Sequence, residues 1–145
     1  MKGGFDIIRA PGAWEKTIAG FQYLRALLKP GAMRINTVIT QLNYDSLVDL
    51  PDLAADLGAD HINLIEVDEN TLDFQRLTAA QIIDYHQRVA PIFAEKAIAK
   101  NLIRQVKEAY PFGSTPLEIV QSLEGLYARD LQQSSLFCSL DSCFN

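Results

Sequence analysis

Met33-Arg34-Ile35-Asn36-Thr37-Val38-Ile39-Thr40 is rich in β-branched residues, and its apolar and polar side chains partly alternate. Asn43-Tyr44-Asp45-Ser46 follows as a turn and helix start, and Leu47, Leu50, Leu53, Ala54 and Leu57 then recur at helical spacing. Leu57-Gly58-Ala59 stops that helix, because glycine adopts the left-handed conformation a helix end needs. His61-Ile62-Asn63-Leu64-Ile65-Glu66-Val67 reads as a second strand. Two short strands joined by one amphipathic helix through tight turns predict a parallel βαβ unit. In such units ligands meet the carboxyl ends of the strands. Arg34, Asn36, Thr40, Asn63, Glu66 and Asp68 are therefore the residues around which function is sought.

Working outward, 145 residues suit one domain with a real core. Hydrophobic content of 48% with 21% charged residues is ordinary for a soluble globular protein and excludes a disordered chain. The net charge of −5 is concentrated: Asp45 to Asp84 holds ten acids and a single base, Arg76. A nucleic-acid partner wants the opposite sign, so none is expected. The apolar runs fall well short of the ~20 residues that span a bilayer, so no membrane partner is expected either. Without a charged, apolar and small-residue leader at the start, the expected location is cytoplasmic. Cys138 and Cys143 are too few, and too close to the end, for a disulfide framework.

Upstream, Met1 to Gly12 reads as a loop or one extended piece, and a helix follows with Ile18, Phe21, Leu24 and Leu28 as its apolar stripe. Lys29-Pro30-Gly31 ends it. Downstream, an acidic loop runs from Asp68 to Leu77, and Thr78-Ala79-Ala80-Gln81 has the form of a capping box. The helix it opens carries Ile82, Tyr85, His86, Val89 and Phe93 on one side, with a kink or break expected at Pro91. Helical spacing continues through Ile98, Leu102, Val106 and Tyr110, with Lys96, Lys100, Arg104 and Lys107 along another face. Pro111-Phe112-Gly113 terminates it. Thr115-Pro116-Leu117-Glu118 opens a last helix through Leu131. The expected organisation is a βα region over 1–77, C-terminal helices over 78–133 and a tail over 134–145. Two parallel strands cannot bury both faces of a sheet. Either a second chain covers them, or the unit is a sector of a larger α/β barrel.

Three blocks resemble the radical S-adenosylmethionine (radical SAM) enzymes, over roughly Phe5 to Asp68. Arg9-Ala10-Pro11-Gly12-Ala13-Trp14-Glu15-Lys16-Thr17-Ile18-Ala19-Gly20 is similar to the Arg-Gly-x-x-Gly-x-aromatic segment opening the helix after the fourth barrel strand. Arg34 to Thr40, with Asn43 and Tyr44, resembles the fifth strand and its turn. Leu57-Gly58-Ala59-Asp60-His61-Ile62-Asn63-Leu64-Ile65 resembles the sixth strand. The resemblance implies an α/β fold, a partial (β/α) barrel with two parallel strands and amphipathic helices followed by C-terminal helices. It implies a parent enzyme that cleaves SAM reductively at a [4Fe–4S] cluster and abstracts hydrogen from a small-molecule or peptide substrate. The family's Cys-x3-Cys-x2-Cys cluster loop is not in this sequence, so the chain is expected to contribute contacts, to bind no cofactor by itself and to be inactive alone. Cys138-x4-Cys143-Phe144-Asn145 looks like the start of an auxiliary-cluster extension, which would make Cys138 and Cys143 metal ligands. By themselves they read as two reduced, unpaired cysteines.

By the same resemblance Arg34 is a substrate contact and Asn36 a cofactor contact; Asn63, at the matching inward position of the next strand, and Asp68, at the mouth just beyond, are expected to contact the cofactor with it. Arg34 and Asn36, two apart on a strand, share one face. The plain alternative is a solvated Arg34 at a strand start and an Asn36 bonded to a neighbouring strand or loop. Glu66 reads as an outward carboxylate, His61 as a capping or surface residue, and His86 as a satisfied core or interface histidine. The Lys96–Lys107 stripe reads as a solvated face, or as a surface for the acidic region of another chain. No Gly-x-Ser-x-Gly elbow, Walker loop or dinucleotide fingerprint occurs. A second function class stays open: a noncatalytic α/β module that pairs with itself, as a homo-oligomer, or with a partner through open sheet edges.

Overall fold

Residues 10–67 and 75–113 are described by the computed structural model. The chain divides into two compact units after Pro111, and every element named below lies in the first. Helix α1 spans Ala13–Leu27, strand β1 Arg34–Val38, helix α2 Leu50–Asp56, strand β2 His61–Ile65, helix α3 Ala79–Asp84 and helix α4 Ala90–Ala99. The fold class is α/β. β1 and β2 pair in parallel, with Arg34 opposite His61, Asn36 opposite Asn63 and Val38 opposite Ile65. The Asp60 amide donating to the Met33 carbonyl and the Ile39 amide donating to the Ile65 carbonyl, each 2.8 Å, extend the ladder at both ends.

Among the described residues, helices cover one face of this pair and leave the other exposed. Ile62 and Leu64 are buried and Ile35 and Thr37 half-buried, whereas Arg34, Asn36, Val38, Asn63 and Ile65 are exposed. The period-2 alternation of a strand thus turns Ile62 and Leu64 toward the helices and puts Asn36 and Asn63, with the apolar pair Val38 and Ile65, on the opposite face. Leu50, Pro51 and Ala54 of α2 and Ala90, Phe93, Ala94 and Ala97 of α4 are part of the core. On the outer edge of β2 the Ile62 amide donates to the Leu102 carbonyl at 2.9 Å. Among the described residues no strand pairs with the outer edge of β1.

Several local outcomes differ from the sequence pattern, each for a chemical reason. The helix expected from Asn43 onward begins as a 3-10 turn over Tyr44–Asp49 before α2. A continuous α-helix would need an amide on Pro51 to reach the Leu47 carbonyl; in the first turn of α2 its absence is harmless. At Pro91 the helix neither breaks nor stays regular: Tyr85–Val89 widens to π-helical geometry between α3 and α4. Proline has no amide for the Gln87 carbonyl and crowds it, and the wider turn relieves both. The capping box is present, with the Gln81 amide donating to Thr78 Oγ1 at 3.3 Å and the Thr78 amide donating to Gln81 Oε1 at 2.9 Å.

Helical spacing past Ala99 is misleading, because α4 ends there. Asn101 adopts φ 57°, its amide donates to the Ile98 carbonyl (3.0 Å), and the Leu102 amide donates to the Ala97 carbonyl (2.8 Å). This pair of bonds is the Schellman closure, and asparagine is the commonest non-glycine residue to tolerate it. Lys96 and Arg104 therefore do not share a helix face. Lys96 and Lys100 instead meet Asp52 at 2.8 and 3.1 Å, so these two lysines engage the acidic stretch of their own chain. Helix α1 forms where its stripe predicts it, yet none of its residues is buried. Arg25 ties it down, donating to the Gly58 carbonyl (3.2 Å) and to Asp60 Oδ2 (3.0 Å). The expected last helix, from Thr115 to Leu131, lies outside the described residues.

Candidate functional site

Both strands start from one carboxylate. Asp60 Oδ2 accepts from the Met33 amide and from Arg25, each at 3.0 Å. The Met33 amide, then the Gly31 amide and the Arg25 guanidinium, hold the Asp60 carboxyl below its ordinary range. This clasp aligns the amino ends of β1 and β2 and sets the register that brings Asn36 opposite Asn63.

At the carboxyl end of β1 the chain turns through Thr40 and Asn43. The Thr40 amide donates to Asn43 Oδ1 (2.8 Å), Asn43 Nδ2 donates to the Val38 carbonyl (2.9 Å), and the Leu42 amide donates to Thr40 Oγ1 (3.3 Å). Thr40, one of the residues sought as a site group, is buried as part of this turn. Its role is architectural. The Gln41 amide donates to the Gln75 carbonyl at 2.9 Å and Gln41 Nε2 to the Arg76 carbonyl, so residue 75 is pinned beside the end of β1. The segment between Val67 and Gln75 thus begins after β2 and returns at β1. Asp68 belongs to that segment and lies outside the described residues.

On the open face Arg34, Asn36 and Asn63 come together as strand alternation predicts, and all three are exposed. Adjacent parallel strands lie ~4.8 Å apart, so the Asn36 and Asn63 carboxamides are nearest neighbours across the pair. Arg34 stands two residues, roughly 6.6 Å, back along β1. Among the described residues none of these three side chains makes a hydrogen bond or ion pair. The alternative in which Asn36 bonds a neighbouring strand or loop is not what the described residues show. Glu66 is exposed just past β2.

The two histidines lie elsewhere. His61 Nε2 is 3.6 Å from Glu108 Oε2, and Glu108 Oε1 accepts from the Arg104 (2.8 Å) and Gln105 (2.7 Å) amides. His86 stacks on Tyr110 with centroids 5.3 Å apart, meets Tyr85 edge-on, and burial lowers its pKa. It is a half-buried histidine packed between two tyrosine rings. Tyr44, raised by burial and then by Asp84, sits against the Asp84–Arg88 pair (2.7 and 3.0 Å) and ties the turn after β1 to α3.

Sequence reasoning missed Gln41 and the Arg25–Asp60 clasp. Their partners are 34 or 35 residues away, and no local pattern marks such a contact. Asn43 had a signal, since asparagine three residues after threonine is ordinary turn chemistry.

Among the described residues no group of three or more His, Cys, Asp or Glu side chains is placed to hold a metal ion. The two cysteines of the sequence, Cys138 and Cys143, lie outside the described residues, and two thiolates do not enclose a [4Fe–4S] cluster. No helix of the described residues is long and apolar enough to cross a membrane. No protein-family model, curated protein or solved structure matches this chain.

Proposed function

We propose that this chain is a sector of a radical SAM-type (β/α) barrel, supplying cofactor and substrate contacts from β1 and β2 but no cluster-binding cysteine triad. The observation that carries the reading is the face of the parallel pair that no helix of the described residues covers, where Asn36 and Asn63 stand opposite one another with Arg34 on the same side. In a barrel the helices cover the outside and the other strand face lines the interior. An exposed face on a short parallel pair, with Arg34, Asn36 and Asn63 followed by Val38 and Ile65 at its carboxyl end, fits such a sector. Asn36 and Asn63 each offer a donor and an acceptor, which suits the polar edges of an adenosyl group. The nucleoside is their assigned ligand and the substrate is that of Arg34; Asp68 and the two cysteines keep the roles the resemblance implies. SAM, when bound in the parent enzyme, supplies the radical. This chain's part is to bind and orient.

The test is a 15N NMR titration of the folded chain with 5′-methylthioadenosine, which keeps the nucleoside of SAM and drops its carboxylate. Saturable shifts confined to the Asn36 and Asn63 side-chain amides, lost in Asn36→Leu, support the reading. A silent face in a folded chain refutes it. Anaerobic iron–sulfur reconstitution is expected to leave no four-iron chromophore, and a Cys-x3-Cys-x2-Cys motif is expected upstream in the same reading frame. The open outer edge of β1 and the unburied α1 favour a second reading, a noncatalytic module that assembles through them. A concentration-dependent mass in light scattering that an Asn36→Pro edge block abolishes would favour it.

A further inference from the structure

We draw no further inference here: the strongest candidate, the surface patch on helix α1 where Tyr23, Leu24 and Leu27 are exposed, carries nothing, because nothing in the structure shows what covers it.

Discussion

Replacing Tyr85 by phenylalanine removes one oxygen from the interior and leaves the ring where it is. Tyr85 is fully buried on the π-helical turn, and its hydroxyl donates to the Ala109 carbonyl at 2.7 Å. Burial raises the pKa of this phenol well above its ordinary value, so it is a neutral donor at every working pH. Without the hydroxyl, the Ala109 carbonyl loses its side-chain donor in a site where Ala109 itself is wholly buried. A buried acceptor deprived of its donor costs about 1–3 kcal/mol. For a chain of 145 residues that corresponds to a fall in melting temperature of roughly 2–4 °C per kcal/mol. Urea unfolding is expected to show a lower midpoint with unchanged slope, because the surface exposed on unfolding is the same. Amide exchange is expected to accelerate at residues 106–110, which the hydroxyl anchors, and to change little at β1. A Tyr85→Phe chain with the parent's urea midpoint would refute the reasoning, since the hydroxyl would then be bonding Ala109 no better than water does.

Three further outcomes follow from the same contacts. Gly58 has φ 68°, and a Cβ there would come within 2.9 Å of Arg25 Cδ, so Gly58→Ala is expected to destabilise by about 1–2 kcal/mol from backbone strain alone and to displace Arg25 from Asp60; thermal unfolding and the Met33 amide shift check it. The Asp60 carboxyl is held below 3.8 by the Met33 and Gly31 amides and then by Arg25, so its contribution is fully present above that value and is lost as pH falls through the folded-state pKa; stability against pH should flatten in Asp60→Asn over that acid range, and an unchanged slope would count against the clasp. Asn36→Leu and Asn63→Leu on the open face are expected to change stability by no more than about 0.5 kcal/mol. Ile62→Ala on the covered face is expected to cost about 2–5 kcal/mol, and similar values for both sets, from denaturant midpoints, would show the faces wrongly assigned.

Much of the βαβ unit is legible in the sequence, because it rests on local physics. β-branched residues at period 2 make Arg34–Val38 and His61–Ile65 strands, and the alternation that buries Ile62 and Leu64 necessarily turns Asn63 outward. Thr78 and Gln81 are three residues apart, so their reciprocal cap is written in one short stretch. The stop at Asn101 was open to the same kind of reading. It was hidden by apolar residues at Leu102, Val106 and Tyr110 that continue the helical spacing. Leu102 and Ile103 are buried past the end of the helix, where the Leu102 carbonyl accepts from the Ile62 amide. Tertiary structure alone decided the rest. The parallel register depends on Asp60 reaching Met33 and Arg25, and Gln41 reaches Arg76 across 35 residues. The union of Arg34, Asn36 and Asn63 into one open face needed both strands to pair in one register. No window of sequence contains that fact, since a one-residue slip would have turned Asn63 into the core.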